Sequence, residues 1–140
     1  LASHKDNYPD INNIILLNDL IAQSDIISFH CKPPKTGKPI LTLNEFKTMK
    51  NSAVIINTAR GNLIDEKDLK EALESDIIGG AALDVFSEEP AKDNILFGTK
   101  NLILTPHIAA STIEAQLVVA QQIAIQISNY FIKNEIVNSL

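Results

Sequence analysis

IINTARGNLID, residues 55–65, is an apolar segment that ends abruptly in an arginine and a glycine. Three more apolar segments of the chain end in the same way, at a polar or charged residue. Residues 25–29 end before His30, residues 80–83 end before Asp84, and residues 101–104 end before Thr105-Pro106-His107. In a parallel sheet wound with helices, ligands bind in the crevice beyond the carboxyl ends of the strands. Four strands that each end in a polar or charged group therefore predict one site at that edge of the sheet.

The spacing of these segments predicts the fold. They lie roughly 25 residues apart with helical patterns between them, which is typical of right-handed β-α-β crossovers. We therefore predict an α/β protein with a doubly wound parallel sheet, a dinucleotide-binding fold. The predicted strands are residues 14–16, 26–29, 53–57, 81–83 and 101–104, and the predicted loops are residues 32–39 and 87–100.

Capping patterns mark the starts of the longer helices, after a short helix predicted at residues 18–23. Residues 42–45 and 111–114 both have the Ser/Thr-x-x-Glu pattern of a capping box, and predict helices that end near Met49 and Lys133. Asp65 is predicted to cap a helix over residues 66–75. We expect its inward stripe to be Leu69, Ala72 and Leu73.

Composition excludes several classes of function. The 140 residues suffice for one domain with a core, and the net charge of −5 argues against nucleic-acid binding. No signal peptide opens the chain, and no apolar run approaches the roughly 20 residues needed to span a membrane. The single cysteine, Cys31, excludes an internal disulfide and indicates a cytoplasmic protein. We expect its thiol to be buried or half-buried, and the histidines have no metal-ligand spacing.

Arg60, Asp84, Glu89 and His107 follow the predicted strands and carry the chemistry of this edge. The planar fork of Arg60 suits a carboxylate, and Asp84 suits an amide or ribose donor. A carboxylate beside an imidazole orients the ring and favours its protonated form, which makes His107 a proton donor. With a dinucleotide fold, these groups suit reduction of a 2-oxo acid: the arginine orients the acid, and the histidine delivers the proton as hydride arrives from a nicotinamide.

Each of these residues also has a simpler interpretation. Arg60 fits a surface ion pair, Asp84 fits a helix or turn cap, and Glu88 and Glu89 fit a solvated loop. His107 fits an ordinary loop histidine after Pro106. Their common position favours a site, because unrelated polar residues would not all fall on the same edge of the sheet.

Three motifs resemble the D-isomer-specific 2-hydroxyacid dehydrogenases. They are NTARG with LIDE at residues 57–66, GAALDVFSEEP at residues 80–90, and LTPHIAAST at residues 104–112. The resemblance runs from about residue 14 to the end of the chain, and three motifs in order are far more specific than one glycine pattern. It implies a Rossmann-like NAD-binding domain, a small 2-hydroxy or 2-oxo acid as the substrate, and a homodimer formed through this domain.

The resemblance also implies roles for individual residues. Arg60 corresponds to the substrate-binding arginine, Glu89 to the partner glutamate and His107 to the acid/base. The nicotinamide half of the cofactor would contact Thr58, Ala59, Arg60, Asp84, His107, Ala109 and Ala110. The adenosine and ribose would lie near His30, Cys31 and Lys32.

The chain also departs from the pattern of that family. The glycine-rich turn that seats the pyrophosphate is absent, and so is the substrate domain. We therefore expect residues 1–140 to be the C-terminal portion of an NAD-binding domain, with residues from about 132 to 140 returning toward the absent domain. No acid stands where the ribose-binding aspartate is expected, and His4 and Lys5 leave NADP open as an alternative to NAD.

Two rival functions stay open at this point. One is a corepressor-like module that binds NAD(H) without turning over any 2-oxo acid. The other is an inactive truncated protein that persists only as a scaffold. The 140-residue chain by itself is expected to be inactive, because half of the cofactor cradle is missing.

Overall fold

The computed structural model describes residues 15–137. They form two units, residues 15–106 and residues 107–137. The first unit contains α1 (Leu17–Gln23), β1 (Ile26–Phe29), α2 (Leu43–Phe46), β2 (Val54–Asn57), α3 (Glu66–Glu74), β3 (Gly80–Leu83) and β4 (Leu102–Leu104), with a single 3-10 turn at Gly61–Leu63. The second unit contains α4 (Ile113–Lys133).

The sheet has four parallel strands in the order β1-β2-β3-β4. At the carboxyl ends, Phe29 pairs with Asn57, Asn57 pairs with Leu83, and Leu83 pairs with Leu104. The four strands therefore end at the same level, as the sequence predicted. This α/β parallel sheet is the predicted Rossmann-like fold.

The core of the first unit lies on one face of this sheet. The strands contribute Ile27, Phe29, Ile55 and Leu83, and the helices contribute buried residues such as Ile21, Phe46, Leu69, Ala72 and Leu73. The predicted inward stripe of α3 is thus confirmed. Strand β1 is covered on one face only in the described residues. Side chains alternate along a strand, so Ile27 is 7% exposed while its neighbour Ile26 is 63% exposed.

Helix α2 begins where predicted but is shorter. It ends at Phe46 instead of Met49, because Thr48 and Met49 donate to the carbonyls of Glu45 and Phe46, which tightens the last turn. The carboxylate of Glu45 accepts from the Thr42 N–H at 2.9 Å and from its hydroxyl at 2.6 Å. Burial alone would raise the pKa of Glu45, but these hydrogen bonds outweigh it and lower the pKa.

Three further expectations need correction. Ile15 forms only an isolated bridge, so no strand extends over the described part of residues 14–16. Cys31 is exposed, because the chain leaves the sheet there and enters the proline-rich loop. The cap of α4 is Thr112, not Ser111: its hydroxyl accepts from the Ala115 N–H at 3.1 Å.

Helix α4 otherwise spans the predicted residues and ends at Lys133, followed by Asn134 in a left-handed conformation. Within residues 15–137, no helix combines the length and the hydropathy needed to cross a bilayer.

The cap of α3 is testable by mutation. The Asp65 carboxylate accepts from the N–H groups of Lys67 and Asp68, both at 3.0 Å. We expect Asp65→Ala to lower the free energy of unfolding by about 0.5–2 kcal/mol in urea denaturation, because two N–H groups lose their acceptor. Glu71→Ala, on the exposed side of the same helix, is the matched control and is expected to change stability by less than about 0.5 kcal/mol. An equal loss in both variants would contradict the role of the cap.

Candidate functional site

The turn after β2 is organised by a buried asparagine. Asn57 is 1% exposed; its amide nitrogen donates to the Arg60 carbonyl at 2.9 Å, and its amide oxygen accepts from the Ala59 N–H at 3.1 Å. A buried amide with both ends hydrogen-bonded holds the intervening backbone in one conformation. Thr58, Ala59 and Arg60 are therefore fixed at the edge of the sheet by a side chain beneath them.

Arg60 itself is exposed. Its Nη1 donates to the Ala59 carbonyl at 2.6 Å, and it forms no salt bridge with any residue from 15 to 137. The surface ion pair considered as an alternative is therefore not formed in this part of the chain. A guanidinium carries five N–H donors, so this single contact leaves most of the fork for other acceptors.

Gly61 brings the Arg60 turn against the loop that carries Glu89. A Cβ added at Gly61 would lie 1.9 Å from both the carbonyl carbon and the oxygen of Phe86, and 2.4 Å from the Ser87 nitrogen. Only a residue without a Cβ permits this contact between two backbones. The Phe86 N–H in turn donates to Glu89 Oε1 at 2.9 Å. The structure thus brings two of the three predicted catalytic residues to neighbouring segments.

Asp84, directly after β3, is 4% exposed. Its N–H donates to the Asn57 carbonyl at 3.0 Å, and its Oδ1 accepts from the Thr105 hydroxyl at 2.5 Å. Thr105 follows β4, so the carboxyl ends of three strands are joined at this edge. The Asp84 carboxylate thus accepts from a residue that follows a different strand of the sheet.

The predicted adenosine-side residues lie after β1. The His30 imidazole is exposed, and its Nε2 is 2.8 Å from the Ser28 hydroxyl. Cys31 and Lys32 are also exposed and lead into the proline-rich loop. These three residues therefore stand at the same end of the sheet as Thr58 and Asp84, with their side chains accessible.

The second unit begins with the predicted acid/base. His107 has φ +55°, in the left-handed region that a residue with a Cβ rarely adopts. The turn after it is closed by a hydrogen bond from the Ser111 N–H to the Ile108 carbonyl at 2.9 Å, and the Gln116 side chain donates to the Ala110 carbonyl at 2.9 Å.

Sequence reasoning assigned no role to Asn57, Glu66 or Thr105. The sequence did contain an indication for Asn57: it lies two residues after Ile55, so both side chains are on the inward face of β2. Glu66 and Thr105 act through partners 21 or more residues away, which no local pattern reveals. Among residues 15–137, no cluster of three or more His, Cys, Asp or Glu side chains is placed to hold a metal ion.

Residues 3–109 match the model for the NAD-binding domain of D-isomer specific 2-hydroxyacid dehydrogenases. The chain is 48% identical over 111 residues to D-3-phosphoglycerate dehydrogenase from Methanocaldococcus jannaschii, covering 76% of this chain and 21% of that protein. It is 42% identical over 115 residues to glycerate dehydrogenase from Methylorubrum extorquens, covering 80% of this chain and 37% of that protein.

A similar solved structure is an acyclic imino acid reductase in complex with NADPH and D-arginine. The TM-score is 0.82 at 34% identity, covering 96% of this chain and 43% of that one. The chain therefore spans less than half the length of each of these three relatives.

The contact at Gly61 predicts the effect of one added methyl group. We expect Gly61→Ala to displace the Phe86–Ser87 peptide, because backbone atoms lie 1.9 Å from the new Cβ. Amide NMR signals of Phe86 and Ser87 should shift, and stability should fall by about 1–3 kcal/mol. Gly98→Ala is the control: Gly98 has φ +79° but nothing within 4 Å, so the shifts should stay near residue 98. Unchanged Phe86 and Ser87 signals in Gly61→Ala would refute the contact.

Proposed function

The chain belongs to the D-isomer specific 2-hydroxyacid dehydrogenases, and on that premise we propose that it supplies the NAD-binding part of an enzyme that interconverts a D-2-hydroxy acid and its 2-oxo acid. The observation that carries the proposal is the junction at Gly61, where the Arg60 turn meets the loop that carries Glu89. We call the larger protein the parent enzyme. This chain matches 21% and 37% of the length of two such relatives.

Arg60, Glu89 and His107 each have a different role in the proposed reaction. Arg60 binds the substrate carboxylate through its planar fork and orients the adjacent carbonyl. His107 donates a proton to the carbonyl oxygen during reduction and takes it back during oxidation. Glu89 takes the role of the partner glutamate that the family motifs assign to it, since a carboxylate can accept a hydrogen bond from an imidazole N–H. The roles rest on the family motifs and on the strand-end positions of these residues.

The residues at the carboxyl edge fit the nicotinamide half of NAD. Asp84 is a buried carboxylate held by Thr105, and a carboxylate suits the N–H donors of a carboxamide. Thr58, Ala59, Ala109 and Ala110 complete this half of the proposed site. His30, Cys31 and Lys32 form its adenosine side. The bound cofactor supplies the hydride.

NAD is the proposed cofactor, with NADP as the alternative. The family is defined by an NAD-binding domain, whereas the imino acid reductase was solved with NADPH. The sequence features that bear on this choice, His4 and Lys5, lie outside the described residues.

A second candidate substrate is a 2-imino acid. The likeness to an acyclic imino acid reductase, at a TM-score of 0.82, is the observation that favours it. A 2-imino acid has the same carboxylate beside a reducible carbon, so Arg60 would bind it in the same way. Parallel assays with a 2-oxo acid alone and with the same acid plus ammonium separate the two substrates.

We also propose a cytoplasmic homodimer that acts on a small acid, with neither membrane nor nucleic acid as a partner. The family resemblance supports the dimer, and the single cysteine and the net charge of −5 support the rest. Sedimentation equilibrium of the parent enzyme should give twice the chain mass, and cell fractionation should recover it in the cytosol. A monomer mass across the tested concentrations would refute the dimer.

The catalytic proposal is tested by His107→Gln in the parent enzyme. We expect kcat for NADH-dependent reduction of 2-oxo acids to fall by about 10²–10⁴-fold, because the proton donor is lost. NADH binding, measured by fluorescence titration, should stay near its original affinity. Turnover unaffected by the substitution would refute the role of His107. NADH binding without turnover of any 2-oxo or 2-imino acid by the unaltered protein would support the corepressor-like alternative instead.

A further inference from the structure

The loop of residues 87–94 carries Glu89 and has no helix or strand of its own. Together with Glu66 and Ile95 it lines a cavity of about 380 Å³. A loop without regular backbone pairing keeps one conformation only through contacts at specific points. The contacts that hold this loop therefore determine where the Glu89 carboxylate lies.

Glu66 holds both ends of that loop. It is the first residue of α3, directly after the Asp65 cap. Its Oε1 accepts from the Ser87 N–H at 2.7 Å, and its Oε2 accepts from the Asn94 side-chain amide at 2.9 Å. One carboxylate thus closes the loop from its first residue to its last.

The geometry around Asn94 requires an acceptor at Glu66. The amide oxygen of Asn94 accepts from the N–H of Leu96 at 2.9 Å, and Leu96 is fully buried. The orientation of the Asn94 amide is therefore set, with its NH2 group toward Glu66. Since Ser87 also presents a donor, only a group with two acceptor atoms satisfies both contacts.

The contact at Ser87 lies next to the contact that holds Glu89. Glu66 accepts from the Ser87 N–H, and Glu89 accepts from the Phe86 N–H at 2.9 Å. These are consecutive backbone amides. A shift of the Ser87 amide would therefore move the donor that fixes the Glu89 carboxylate.

We propose that Glu66 is a positioning residue that sets the place of Glu89 during catalysis. The inference rests on the proposed function, because it assigns to Glu66 an effect that is exerted through Glu89. Glu66 does not touch the reacting atoms in this account. Lys70, one turn further along α3, supports the same loop by donating to the Ile95 carbonyl at 3.1 Å.

Glu66 could also stabilise helix α3 without any effect on Glu89, and the variants must distinguish these two roles. An acidic side chain in the first turn of a helix also interacts favourably with the helix dipole. Glu66→Gln removes that charge, and its single amide oxygen can accept from Ser87 or from Asn94 but not from both. Combining it with Asn94→Asp restores an acceptor opposite the new amide and keeps an acceptor for Leu96, but does not restore the charge at position 66.

The experiment measures kcat, KM and NADH affinity of the parent enzyme. We expect Glu66→Gln to lower kcat by about tenfold, because the carboxylate of Glu89 is displaced but still present. The affinity for NADH should be nearly unchanged. Asn94→Asp alone should lower kcat similarly, since two carboxylates then face each other. The combined variant should recover most of the lost kcat. Glu71→Gln, on the same helix without a contact to the loop, is the control and should leave kcat unchanged.

Dependence on Glu89 gives the decisive comparison. In a Glu89→Gln background, Glu66→Gln should lower kcat less than about twofold further, because residues that act as one unit are not additive. The same fold loss in both backgrounds would overturn the positioning role, as would an unchanged kcat in Glu66→Gln. Asn94→Ala, which removes the donor to Glu66 together with the acceptor for the Leu96 N–H, supplies the same comparison if Glu66→Gln fails to fold. If Glu89→Gln leaves kcat unchanged, the proposed catalytic role of Glu89 fails first and the inference fails with it.

Discussion

The parallel register of four strands is the constraint on which the candidate site depends. Phe29, Asn57, Leu83 and Leu104 are successive partners across the sheet, so the chain leaves every strand at the same level. Hydrogen bonds between the segments that follow then become possible. Asn57 is central to them, because its backbone carbonyl accepts from Asp84 and its side chain holds the adjoining turn.

The loops beyond the strands are joined by a close backbone contact as well as by side-chain hydrogen bonds. Gly61 lies directly against the Phe86–Ser87 peptide, and Glu89 is held by the N–H of Phe86. Backbone atoms cannot be moved by a rotamer change, so such a junction has little freedom. A site that must present an arginine and a carboxylate at fixed positions gains from that rigidity.

The sequence predicted those features that have a local cause. Helix α3 followed from the Asp65 cap and a 3.6-residue apolar period, and both are present. Helix α2 was predicted too long, because a capping box marks a start but not an end. The burial of Cys31 was predicted wrongly, because a position after a buried strand does not reveal whether the chain then turns outward.

The remaining features arise from tertiary contacts. Asp84 and Thr105 are 21 residues apart, and the hydrogen bond between them depends on β3 pairing with β4. The close contact at Gly61 likewise depends on where another loop passes. The sequence predicted polar groups after the strands at one edge of the sheet, but the contacts between separate strands and loops had no local signature.

The pairing of Glu66 with Asn94 has an evolutionary consequence. A donor and an acceptor at these positions can exchange places only together, because either change alone sets two like groups against each other. Each change needs just one nucleotide substitution, yet a lineage that makes them one at a time passes through a mismatched intermediate. We therefore expect the residues at these two positions, 28 apart in the chain, to change together in evolution. The present pair and the exchanged pair are chemically similar, but the mismatched intermediate between them makes the exchange rarer than that similarity implies.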